Sequence, residues 1–144
     1  MRPTADPGRE PGRDAGTLSL EFALAAPLIF LILGIVFLYG RVALCSGTLH
    51  SGVRDAARAA TQSRSAEEAD ARAREVILQA LGPGERSCRS TLSVEKIDLF
   101  EPGHPVTVTA TCQVSLTDLG LDSVDSVNLS ASFSSTLDPN RGTG

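Results

Sequence analysis

Apolar positions follow three rhythms along the chain: an unbroken run, then a spacing of three and four residues, then a period of two. The unbroken run covers the nineteen residues from Phe22 to Gly40, none with a formal charge. At about 1.5 Å of rise per residue, a helix of that length matches the roughly 30 Å hydrocarbon core of a bilayer. Glu21 stands alone at its entrance. The run exceeds the apolar part of a cleaved secretory signal, usually about 7 to 15 residues. Nor does Val42-Ala43-Leu44-Cys45 fit a lipoprotein site, because Leu44 fills the place where a small residue is needed. Pro27 removes one backbone hydrogen bond and predicts a kink, a loss that neighbouring helices offset in lipid. Gly34 and Gly40 suit close helix contact, although they lack the small-xxx-small spacing of a dimerisation face.

Past Arg41 the pattern stays helical, with Val42, Leu44, Leu49, Val53, Ala56, Ala57 and Ala60 interleaved with polar residues. This predicts that the membrane helix continues into water as a stalk, which Gly47 and Gly52 each weaken by up to about 1 kcal/mol, enough to allow a break. Ser65-Ala66-Glu67-Glu68 reads as a capping box opening a new helix. Ala66, Ala69, Ala73, Val76, Ile77, Ala80 and Leu81 give it one apolar stripe, and Gly82-Pro83-Gly84 ends it.

The period of two begins later. Val106, Val108, Ala110, Cys112, Val114 and Leu116 alternate with polar residues without a fault, predicting a strand with one oily face. Thr91 to Phe100 reads as a second strand whose phase changes between Val94 and Ile97, so a bulge is expected near Glu95-Lys96. Val124 to Leu137 reads as a third, with Val127, Leu129, Ala131 and Phe133 in phase, and Glu101-Pro-Gly-His-Pro105 supplies a turn. The expected fold class is therefore α+β: a transmembrane helix continuing into a stalk helix, a short amphipathic helix, and a small three-stranded antiparallel sheet. In segments, residues 1–16 are a leader expected to be disordered, 17–44 the transmembrane helix, 45–82 stalk and amphipathic helix, 83–137 a β-rich head and 138–144 a disordered tail.

Charge alters this picture little. Of 144 residues, 17 are acidic and 13 basic, with no basic face and only six aromatic residues, so nucleic-acid binding is not supported. Twelve of the thirteen basic residues are Arg, which together with abundant Ala hints at a GC-rich bacterial genome. The leader contains three Pro, two Gly and six charges in residues 1–15 and cannot pack a core. The three cysteines, Cys45, Cys88 and Cys112, lack metal-ligand spacing, so no metal or other cofactor is expected. If the head lies outside the cytoplasm, Cys88 and Cys112 form the natural disulfide and Cys45 is left odd. Two buried free thiols are the alternative.

No catalytic constellation is found. His50 lies on the stalk and His104 in a Pro-Gly turn, with no nucleophile placed by a motif. Asp118, Asp122 and Asp125 lack calcium-loop spacing, and Asn128-Leu-Ser130 matches a glycosylation acceptor inside an expected strand. Neither an enzyme nor a small-molecule substrate is indicated.

The unusual chemistry is at the anchor, where acids are costly. Were the chain cut after Gly16, Thr17 would carry a free α-amine with a pKa of about 8, four residues from Glu21 and able to pair with it in the same chain or in a neighbour. Gly16, Glu21, Phe22 and Pro27, in the run Gly-Thr-Leu-Ser-Leu-Glu-Phe-Ala-Leu-Ala-Ala-Pro, resemble the type IV pilin signal, specifically that of TadE-like pseudopilins of the tight-adherence (Tad, or Flp) pilus. The resemblance implies cleavage between Gly16 and Thr17 by a prepilin peptidase, with Glu21, Phe22 and Pro27 serving assembly. Implied partners are membrane lipid, the peptidase, other pilins or pseudopilins and the Tad assembly platform. It also implies a place in the cytoplasmic membrane with the N-terminus inside and the head outside, since the balanced leader charges do not set orientation. Phe22 stands where the major pilin of that system has Tyr, and the chain is much longer, which favours a minor pseudopilin. The alternative is an unprocessed, single-pass accessory or binding protein with an extracytoplasmic α+β domain.

Overall fold

In a computed structural model, which describes residues 14–116 and 126–140, the element order is α1 (Asp14–Ala60), α2 (Ala66–Ala80), α3 (Arg86–Thr91), β1 (Ser93–Val94), β2 (Pro105–Ser115) and β3 (Ser126–Thr136). The α+β class holds. Two compact units divide the chain, Met1–Leu38 and Tyr39–Gly144.

The described part of the first unit is helix alone, with Pro27 inside it. That helix begins at Asp14, so residues 14–16 of the segment expected to be a disordered leader are helical, and residues 1–13 of that segment lie outside the described residues. No Pro or Gly separates Asp14 from the apolar run except Gly16 itself, and the helix extends back accordingly.

The second unit holds a core. Along the C-terminal part of α1, Cys45, Leu49, Val53, Ala56, Ala57 and Ala60 are buried, steps of three and four that make one stripe. No break occurs at Gly47 or Gly52. At Gly52 a side chain's Cβ would meet the Cβ of Ala80 at 3.0 Å, so this glycine lets α1 and α2 approach rather than ending α1. Ala69, Ala73 and Ile77 bury the matching face of α2, followed by Leu81. The capping box is present with one difference. Ser65 Oγ accepts from Glu68 N–H at 3.2 Å, but the Glu68 carboxylate accepts from Arg64 N–H at 2.9 Å, one residue before the cap.

The sheet is antiparallel in the order β1-β2-β3. All eleven residues of β2 pair with β3, from Pro105 with Thr136 to Ser115 with Ser126. Val106, Val108, Ala110, Cys112, Val114 and Leu116 are buried, as their alternation predicts. On β3, Val127, Leu129 and Phe133 are half-buried and Ala131 fully so, the expected phase; residues 124 and 125 of the expected strand lie outside the described residues. Gly103, at φ +82°, makes the turn ahead of β2, a left-handed conformation that glycine adopts without strain. Leu137 and the turn are tied by Gly103 N–H to Leu137 O and Leu137 N–H to His104 O. Of the tail expected to be disordered, 138–140 is an exposed turn closed by Asn140 N–H to Asp138 Oδ1, and 141–144 lies outside the described residues.

The first expected strand is corrected. Only Ser93 and Val94 pair with β2, opposite Thr111 and Ala110. Residues before it form α3, which periodicity did not reveal. After Glu95 N–H reaches Thr109 O, the chain leaves the sheet, and Ile97 N–H is taken by the Asp70 carboxylate of α2 at 3.0 Å. The phase change between Val94 and Ile97 is thus a departure from the sheet, not a bulge.

Candidate functional site

In the first unit every large apolar side chain described lies open except Leu38, which is half-buried. Leu20, Phe22, Leu24, Leu28, Ile29, Phe30, Leu31, Ile32, Leu33, Ile35, Val36 and Phe37 are 47–72% exposed. These residues occupy all sides of the helix, and a helix apolar all round requires lipid or other helices about it. This is also the one described helix long and apolar enough to cross a membrane. A Cβ on Gly34 or on Gly40 would meet nothing within 4 Å, which leaves both positions open to a neighbouring helix. Glu21 and Pro27 are exposed, and the backbone of Gly16 and Thr17 lies in the first turns of α1. Positions 17 and 21 are therefore about one turn apart on one helix face. Gly16, Thr17, Glu21, Phe22 and Pro27 share a single element by virtue of sequence adjacency, and nothing in the fold is needed to bring them together.

The second unit offers a different kind of site. Cys88 and Cys112 are joined, with Cα atoms 4.9 Å apart, linking α3 to β2; Cys45 is a buried free thiol. The pairing follows from placement, since both sulfurs point into the core, from α3 and from the apolar face of β2. A hollow of about 210 Å³ is lined by Arg41, Leu44, Cys45, Glu85, Ser87 and Val114, and Glu85 Oε2 is buried there without a hydrogen bond. A wider cleft of about 380 Å³ beside α2 has Glu67, Asp70, Arg74, Glu95 and Lys96 around it, charges of both signs with no nucleophile or histidine among them. His50 is exposed, and His104 lies 3.9 Å from the Glu101 carboxylate on the surface. Among the described residues no group of three or more His, Cys, Asp or Glu is placed to hold a metal. Asp118, Asp122 and Asp125 lie outside the described residues.

Sequence reasoning overlooked three polar contacts that hold this unit. Arg89 Nη1 donates to Leu78 O and Leu81 O, each at 2.8 Å, meeting carbonyls that the end of α2 leaves unpaired. The Asp70 carboxylate of α2 accepts from Ile97 N–H, 27 residues further on. Arg54 stands over the ring of Phe133 at 5.2 Å from its centre, joining α1 to β3. Only the side-chain types were visible in advance; the partners lie eight or more residues away.

The described residues define a protein with one helix long and apolar enough to span a bilayer and a small disulfide-bonded α+β unit. Residues 16–58, the anchor and the part of α1 that follows it, match the family model described as TadE-like protein. That is the segment carrying the resemblance noted from Gly16, Glu21, Phe22 and Pro27. No curated protein and no solved structure matches the chain.

Proposed function

We propose that this chain is a non-enzymatic minor pseudopilin of a Tad-type pilus or secretion machine, cut by a prepilin peptidase between Gly16 and Thr17. The observation that carries the reading is the apolar helix open on all sides, with one acid at its entrance, inside the segment that matches TadE-like proteins. Such a surface is satisfied first by lipid and then, on assembly, by the helices of other subunits. An unpaired carboxylate in that apolar packing is penalised, so a new amine at Thr17 pairing with Glu21 favours one axial stagger between neighbours. The Cys88–Cys112 disulfide supports a head outside the cytoplasm, where such bonds persist, and hence an N-terminus inside. Its partners in this reading are the peptidase, other pilins or pseudopilins and the assembly platform.

Two variants separate the steps. In cells with an active Tad system, Gly16→Arg is expected to leave the full-length form on a gel, while Glu21→Ala is cut normally but fails to support pilus output. Normal cutting of Gly16→Arg, or unchanged pilus output from Glu21→Ala, contradicts the proposal.

A further inference from the structure

We propose that the outer edge of β3 is a docking edge for β3 of a second copy of this chain, the two strands pairing antiparallel about Ala131. The inference rests on the assembly role above and names a contact for its head.

The two edges of this sheet are treated differently. On the β1 side the strand is two residues long, the chain turns away with Glu95, Lys96 and Asp98, and Asp70 takes the next backbone donor. Short length, charges and a covering side chain are the usual means of blocking an edge. None is used on β3. Its eleven residues, Ser-Val-Asn-Leu-Ser-Ala-Ser-Phe-Ser-Ser-Thr, contain no charge, no Pro and no Gly, and they pair with β2 without a bulge. Among the described residues no strand pairs with the other side of β3, so its alternate N–H and C=O groups point away from the sheet.

Burial points the same way. The inward residues of β2 are covered, whereas Val127, Leu129 and Phe133 of β3 remain half-buried, so the apolar face runs past what the helices cover. Another strand with the same alternation would continue that face. β3 itself meets the requirement. A twofold axis at Ala131 sets Leu129 opposite the copy's Phe133 and Asn128 opposite the copy's Ser134, apolar with apolar and polar with polar, while Val127 meets the copy's Ser135 nearer the strand ends. No like charges meet, because the strand has none. Such a contact is isologous and closes on a pair, so it joins two heads and does not propagate.

The test uses full-length protein in native membranes, with two differently tagged copies co-expressed. One carries Ser130→Cys and the other Ser132→Cys. Both positions are exposed, Cys88 and Cys112 are already bonded and Cys45 is buried, so the new thiols are the reactive ones. Directly opposed positions lie within disulfide reach, and diagonal ones do not. Mild oxidation is expected to give a hetero-tagged dimer several-fold more abundant for the mixed pair than for two copies of either single variant. Monomer in every combination, or equal cross-linking in all of them, overturns the proposal. Determining the N-terminus of the same preparation keeps the two readings apart: a dimer beginning before Thr17 leaves the edge contact standing while removing the pseudopilin assignment.

Discussion

At the scale of single residues, stability in the second unit depends on side chains that replace missing backbone partners. The carbonyls of Leu78 and Leu81 at the end of α2 would be unpaired but for Arg89, whose charge also faces the negative end of the helix dipole. Arg89→Ala is expected to lower unfolding free energy by about 1 to 2 kcal/mol in urea titrations of the detergent-solubilised protein. An unchanged midpoint would show that water serves these carbonyls equally well. Asp70 holds a segment in place by a single bond to the part-buried Ile97 N–H. Asp70→Ala is expected to cost about 1 to 2 kcal/mol and to speed hydrogen exchange at residues 95–98 above all.

At the scale of elements, the two glycines of α1 beyond the anchor have opposite roles although they look alike in sequence. Gly47 faces open space, so Gly47→Ala should stabilise the helix by up to about 1 kcal/mol. Gly52 packs on Ala80, and the added methyl in Gly52→Ala must push α2 aside. The propensity gain is then offset, and a lower melting temperature than that of Gly47→Ala is expected. Equal gains for the two variants would contradict the close approach. Legibility followed the same division. β2 was readable because each residue's burial is set by its position in one uninterrupted alternation. α3 was not, because six residues, Arg-Ser-Cys-Arg-Ser-Thr, hold no periodicity, and β1 was over-extended because its end depends on Asp70, 27 residues earlier. Glu21 was legible without any structure, as a lone acid against nineteen apolar positions.

At the scale of the molecule, the second unit has a small core rich in Ala and one covalent link across it. Closing the chain between Cys88 and Cys112, 24 positions apart, contributes roughly 3 to 4 kcal/mol in the chain-entropy account. Reduction should therefore shift the urea midpoint sharply downward, and equal midpoints with and without reductant would contradict a structural role for the bond. The function argued for the whole chain depends on the other unit, whose surface is open and whose key groups lie together by sequence alone. If Thr17 is a new N-terminus, Glu21 has its charge partner and the open helix its reason to pack against others. The most direct measurement is mass analysis of the N-terminus of the native membrane form in cells that have the prepilin peptidase. A chain beginning at Thr17 is expected; one that still begins at Met1 or Arg2 contradicts the account.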